Sequence, residues 1–450
     1  MVLIDDLTTH LYLNTEIPSF LWRSGSYATL LGIHTLCWTA LNGFNKLEVH
    51  GLPRFLDLLK SRTDYRERTK GLITVSNHIS VLDDPVIWGS LPLSFAALHA
   101  HQNHRWSFAS HDLTFNNTAM SHFFTLGQCL PTHRIKHSKH GGLFQPTFTE
   151  AVRMLSRIDA ISYSWNPHNA TIPGYMPLRG PFPKKADHSY EAPPSWPRNV
   201  IDPLSPLRQQ GLPPPAYFSC PNDVRAYNAP SRYASNSYSW IHIFPEGFVH
   251  QTAQNERYMR YFKWGVSRLI LEPPEAPDLV PMFIEGTDRI MHESRKFPRF
   301  IPRLFNRVTI SFGDEVDVEA RFGDLRKRWR EICDRENAKV LREAQWAQGH
   351  VRDMNGNKLS KKDLQRMHTV ALDQMYNAQL GVISENLKHD PEVVDLRVEC
   401  TRRVRDEVLK VRRARGYSDE DPKGGIAETW KLEGPDREGK MKDESWVKET

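Results

Sequence analysis

Leu72-Ile73-Thr74-Val75 is an unbroken run of apolar and β-branched residues that stops at Ser76-Asn77-His78. A run so short, closed by turn formers, predicts a buried strand feeding a turn. Similar runs recur at 106–109, 240–244, 279–284 and 308–312, with helical patterns between several of them. The simplest assembly is α/β: one mixed central sheet flanked by helices.

The chain has 450 residues, more than one ordinary domain, so the sheet is expected to carry insertions or an appended segment. Mean hydropathy is −0.54, which leaves no room for a bundle of membrane spans. From 24 to 45 there is no Lys, Arg, Asp or Glu. This part of an N-terminal segment (1–50) predicts a helix, but its dense apolar stretch of about 15 residues is short for a span. It reads as a half-inserted helix with Leu30, Leu31, Ile33, Trp38 and Leu41 against the membrane, or as a buried core helix. Acidic residues among the first 25 argue against a cleaved leader.

A catalytic region is expected at 51–325, interrupted at 160–232, where 15 of the 31 prolines fall and no periodicity persists. A charged helical extension follows at 326–416. Within it, 396–415 sets Cys400, Val404, Val408 and Val411 at helical spacing among eight basic and three acidic residues. Such a helix either packs on the core or meets anionic lipid. The tail, 417–450, has the composition of a disordered segment. Lys and Arg exceed Asp and Glu by 59 to 53, which suits an anionic surface without demanding nucleic acid. The five scattered cysteines, with no CxxC pair, indicate neither a disulfide framework nor a metal site.

Two strand-end motifs carry chemistry. His78 ends the first strand, and Asp83, five residues later, falls where a helix should begin. If the turn is tight, the carboxylate can fix one imidazole nitrogen and leave the other as a base toward a hydroxyl. Asp83 as a helix cap beside a satisfied histidine is the plainer alternative. Phe244-Pro245-Glu246-Gly247 follows the strand at 240–244 and presents a carboxylate at the sheet's edge. Glu246 is there to orient a glycerol hydroxyl or a cation that contacts phosphate, or else to cap the next helix.

In this order and at this distance the two motifs resemble the HxxxxD and FPEG blocks of the glycerophospholipid acyltransferase superfamily. The strings Ser121-His122-Phe123-Phe124-Thr125-Leu126-Gly127-Gln128-Cys129-Leu130-Pro131 and Phe262-Lys263-Trp264-Gly265 narrow the resemblance to the mitochondrial phospholipid transacylases of that superfamily, over about 15–325 without the insertion. The resemblance implies the superfamily's mixed central sheet, His78 as catalytic base and Asp83 as its partner. It implies a substrate-binding role for Phe244, Pro245, Glu246, Gly247 and Arg134, although Arg134 lies one residue farther from Gly127 than in the general pattern. Val280-Pro281-Met282 matches a fourth, mainly structural block.

The implied reaction moves an acyl chain between phospholipids and lysophospholipids without CoA, cofactor or metal, and remodels cardiolipin. The implied setting is monotopic, in mitochondrial membranes facing the intermembrane space, alone or in an oligomer. An acyl-CoA-dependent lysophospholipid acyltransferase and a non-catalytic membrane-organising protein are the alternatives. A second membrane contact is placed on Tyr258, Phe262, Trp264, Leu269 and Ile270 with Arg260 and Lys263, or these aromatics belong to the core.

Overall fold

The computed structural model describes residues 20–64, 67–99, 103–135, 141–156, 238–252, 258–292, 298, 301–349, 381 and 383–427, with short strand segments at 218–219, 226–227, 438–440 and 445–448. Most of the proline-rich insertion and the middle of the charged extension lie outside the described residues.

Seven strands form one sheet: β1 (Lys46–His50), β2 (Leu72–Val75), β3 (Trp106–Ser110), β4 (Cys129–Thr132), β5 (Trp240–Ile243), β6 (Asp278–Glu285) and β7 (Arg307–Phe312). Their order is β1-β7-β6-β2-β5-β3-β4. Every neighbouring pair is parallel except β6 and β7. The expected strands are present, and β1 and β4 are additions at the two edges. Edge strands carry weak signals: β4 is four residues long, with Pro131 within it. Because β7 reverses, the C-terminal ends of β2 to β6 and the N-terminal ends of β1 and β7 share one end of the sheet.

The central strands β2 and β5 are buried at every residue, and alternate side chains enter two separate cores. Leu72, Trp240, Val280 and Ile310 pack with α1 (Phe20–Phe44), α2 (Leu52–Ser61) and α3 (Asp83–Gly89). Ile73, Val75, Ile241 and Phe283 pack with α4 (Pro146–Met154), α5 (Gly265–Leu271), α6 (Val318–Gly349) and α7 (Pro391–Ala414). Burial of this kind stabilises by roughly 1.5–3 kcal/mol per large side chain.

No helix among the described residues is long and apolar enough to cross a membrane. α1 runs from Trp22, stacked on Trp106 at the start of β3, to Phe44 beside β1. Two of its expected membrane contacts must be corrected. Leu30 and Leu41 are buried against the protein, because α1 lies on α3, and Ser26 and His34 also donate inward, to the Leu126 and Leu91 carbonyls. Leu31, Ile33 and Trp38 are half-buried, and Phe20, Leu21, Leu36 and Phe44 are the exposed apolar residues of this helix.

The basic helix expected at 396–415 is α7, and it packs on the core through Val393, Leu396, Cys400, Val404 and Val408. Its cations meet acids of the same chain, including Arg403 with Asp324 and Arg405 and Arg412 with Glu420. The tail expected to be disordered is tied down at its start, where the Tyr417 hydroxyl donates to Glu285 at 2.7 Å and Glu420 is buried. Composition cannot reveal such long-range pairing of opposite charges. Of the aromatic segment after the FPEG turn, Phe262, Leu269 and Ile270 are core, and Trp264 is exposed.

Candidate active site

β2 ends at Val75, and the turn that follows is pinned to the neighbouring strand β6. The Asn77 side-chain amide donates to the Ile284 carbonyl at 3.0 Å, and its oxygen accepts from the Ile284 N–H at 2.8 Å. His78 therefore leaves the sheet at a fixed point, beside the first turn of α3, where Asp83 is fully buried.

Asp83 Oδ2 accepts from the Ile79 and Ser80 N–H groups at 2.6 and 2.8 Å and lies 2.9 Å from His78 Nδ1. Its Oδ1 accepts from the Thr287 hydroxyl. Four donors and a helix N-terminus offset the cost of burying this carboxylate. A carboxylate only accepts, so Nδ1 carries the imidazole proton and Nε2 keeps a free lone pair. The His78 side chain is 20% exposed, so the base is open to solvent while its partner Asp83 is not. The two readings of Asp83 merge here: one carboxylate both closes the loop and sets the histidine.

The ring of Phe244 lies 4.3 Å from that of His78, tilted by 24°, and covers one face of the base. Behind Phe244 is a second histidine, His242, fully buried on β5. Thr74 Oγ1 accepts from the Trp240 indole at 2.9 Å and lies 2.9 Å from His242 Nδ1. Burial pushes the His242 pKa down to about 3, aided by the Arg105 cation. It is a neutral spacer with no access to substrate.

Glu246 corrects an expectation. Its carboxylate is buried, not presented at the edge: Oε1 accepts from the His78 N–H at 2.9 Å and Oε2 from the Arg260 N–H at 3.1 Å. Burial pushes its pKa up to about 8 against these two hydrogen bonds. Glu246 thus joins the base's backbone to the segment at 258–264. Gly247 has φ +74°, a left-handed conformation that favours glycine, and its N–H closes the turn on the Phe244 carbonyl at 3.0 Å. Pro245 accepts from the Lys263 N–H at 2.7 Å.

The link continues outward. Arg405 on α7 donates to the Arg260 and Met259 carbonyls at 3.0 and 2.7 Å, and Glu420 accepts from the Met259 N–H at 2.7 Å. Through Glu246, the charged extension is connected to the backbone of His78.

Arg134 follows β4 at the same end of the sheet, three strands from β2 and so about 14 Å across the strand spacing. It pairs with Asp112, Nε to Oδ1 at 3.0 Å. Nearer the dyad, Asp84 pairs with Arg105, and although burial opposes it, the guanidinium holds this carboxyl below its usual range. Asn77, Thr287, His242, Arg405 and Glu420 are supports that sequence reasoning missed. For Thr287 a signal existed: Gly286-Thr287 directly follows an expected strand, as the other motifs do.

A largely parallel sheet with a histidine base set by a buried aspartate at its strand ends, braced by an FPEG turn, defines an acyltransferase of the glycerophospholipid type. The enzyme is an acyltransferase. No family model matches the chain. It is 31% identical over 329 residues to tafazzin of Saccharomyces cerevisiae, an alignment covering 70% of this chain and 68% of that protein. It is 26% identical to tafazzin of Drosophila melanogaster, over 69% of this chain and 56% of the relative. An N-acylphosphatidylethanolamine synthase of Arabidopsis thaliana is 24% identical over 64% of this chain and 70% of its own length. The chain belongs to the tafazzin family.

Proposed function

We propose that the protein transfers an acyl chain directly from a phospholipid to a lysophospholipid and thereby remodels cardiolipin in mitochondrial membranes. His78 Nε2 takes the proton of the lysolipid hydroxyl as its oxygen attacks the donor's ester carbonyl. The tetrahedral intermediate then breaks its original C–O bond, and His78-H⁺ protonates the departing glycerol oxygen. One ester replaces another, so no energy-rich donor is consumed. General base assistance contributes about 10²- to 10⁴-fold, and the rest falls to holding two lipids together and stabilising the oxyanion. Arg134, on the same rim as the base, is assigned to a lipid phosphate, with Asp112 holding its guanidinium.

The observation that carries this reading is the orientation of His78: Nδ1 is held by Asp83, and Nε2 is bonded to none of the described residues. The setting supports a lipid substrate, since Val81 and Ile135 on loops, and Leu113 on the short helix His111–Thr114, are exposed at the same end of the sheet. The enzyme works as a monotopic protein on the side facing the intermembrane space, alone or in an oligomer.

The test is transfer of a labelled chain from cardiolipin or phosphatidylcholine to a lysophospholipid by pure protein without thioester. Transfer that appears only on adding acyl-CoA makes the enzyme an acyl-CoA-dependent acyltransferase instead.

A further inference from the structure

The loop before β7 enters the sheet at the same end as His78, and it carries an unusual residue. Phe305 is 85% exposed and has φ +65°, a left-handed conformation that a bulky side chain rarely adopts. Ile301 and Leu304 beside it are exposed too, as is Phe44 at the end of α1.

The loop is not slack. The Phe305 N–H donates to the Phe44 carbonyl at 2.8 Å, and the Asn306 N–H donates to Asn45 Oδ1 at 2.9 Å. The Lys46 N–H donates back to the Asn306 carbonyl at 2.9 Å, and the Asn306 amide caps the carbonyls of Arg303 and Leu304 at 3.1 and 3.2 Å. The fold thus holds a strained backbone rigidly in order to point an aromatic ring at solvent. Such an arrangement is expected where the outward environment is apolar.

The charge of this stretch of sequence points to that environment. Along the sequence no acidic residue falls between Glu293 and Asp314, while Arg295, Lys296, Arg299, Arg303 and Arg307 do. Of the described cations among them, Arg307 pairs with Glu48 of β1 at 2.6 Å and Arg303 is exposed two residues from Phe305. Aromatic and aliphatic side chains interleaved with cations suit the headgroup boundary of an anionic bilayer, where rings enter and guanidiniums stay at the phosphates.

We infer that Ile301, Leu304 and Phe305, with Phe44, form an insertion tip that docks the mouth of the site on an anionic phospholipid surface, with Arg303 at the lipid phosphates. The inference rests on the reading of the substrate as membrane phospholipid, and it moves the membrane contact from the length of α1 to its last turn and this loop. Phe305 and Phe44 would sit together below the headgroups, and a lysolipid would reach His78 along the rim without leaving the bilayer.

The test uses the full chain in flotation with vesicles of pure phosphatidylcholine and of phosphatidylcholine doped with phosphatidylglycerol. Phe305→Asn keeps a residue that tolerates positive φ, so its thermal midpoint should be no lower than wild type. Combined with Ile301→Ser it should weaken partition to both vesicles by about tenfold or more, the scale of losing buried apolar groups. Arg303→Glu should weaken binding to the doped vesicles alone, and less so in high salt. Transfer between short-chain lipids dispersed in detergent should stay within about twofold of wild type, as the loop enters the sheet two strands from β2, about 10 Å across, and touches no residue of the dyad.

Unchanged flotation of the double variant overturns the inference, as does an equal loss of transfer on dispersed substrate, which would place the loop in the catalytic machinery. Conversion of a wild-type dimer to monomer with flotation unchanged would assign the patch to a second copy and overturn it as well. Tip-dependent flotation by a wild type that transfers no acyl chain supports the surface and removes the transacylase reading.

Discussion

One oxygen of Asp83 performs two tasks for His78: Oδ2 lies 2.9 Å from the imidazole Nδ1 and accepts the backbone N–H of Ile79 at 2.6 Å. The loop that carries the base is therefore closed by the group that sets its tautomer. Asp83→Asn separates these tasks, because an amide oxygen can still close the loop while the charge that stabilises the imidazolium is gone. Its kcat is expected to fall by about 10²- to 10⁴-fold with little change in thermal midpoint. His78→Ala should abolish transfer and leave vesicle flotation intact. Near-normal turnover in either variant would remove the base from the mechanism.

Thr287→Val takes away only the donor to Asp83 Oδ1. A buried acceptor left without a partner costs about 1–3 kcal/mol. Urea unfolding should show that loss, with a smaller drop in kcat than Asp83→Asn produces. Equal effects in the two variants would mean that loop closure, not charge, limits the rate.

Glu420 is buried between Arg405 and Arg412 and reaches His78 through Met259, Arg260 and Glu246. Glu420→Ala removes the carboxylate held by two buried cations and should destabilise by roughly 3–5 kcal/mol. The milder Glu420→Gln should lower kcat more than it raises KM, since it loosens the backbone under the base. If Glu420→Gln leaves kcat untouched, the extension braces the fold alone.

Two buried groups give opposite pH slopes. His242 has a folded pKa near 3 against 6.5 unfolded, so its stability is lost as pH falls below about 6.5. Glu246 has a folded pKa near 8 against 4.5 unfolded, so its stability is lost as pH rises from about 4.5 through 8. Between 4.5 and 6.5 the two slopes oppose each other, and stability should peak there, falling on either side by up to about 1.4 kcal/mol per pH unit for each group. His242→Gln should flatten the acid limb and Glu246→Gln the alkaline limb. A limb that survives its substitution belongs to another residue.

The sequence by itself determined the strands that hold the site, the pairing of His78 with Asp83, and the family. Short buried runs and motifs at strand ends are local, so they are written in neighbouring residues. It misplaced Glu246, Leu30 and Leu41, and it did not find Thr287, Arg405, Glu420 or the edge strands β1 and β4. Each of those depends on what the residue meets from far along the chain. A glutamate in a turn looks the same whether it faces a ligand or two backbone amides, and an uncharged helix looks the same whether its leucines face lipid or another helix. Only packing decides, because burial and hydrogen-bond partners are set by the sheet order, which joins Asn77 to Ile284, 207 residues away, and Thr74 to His242, 168 residues away.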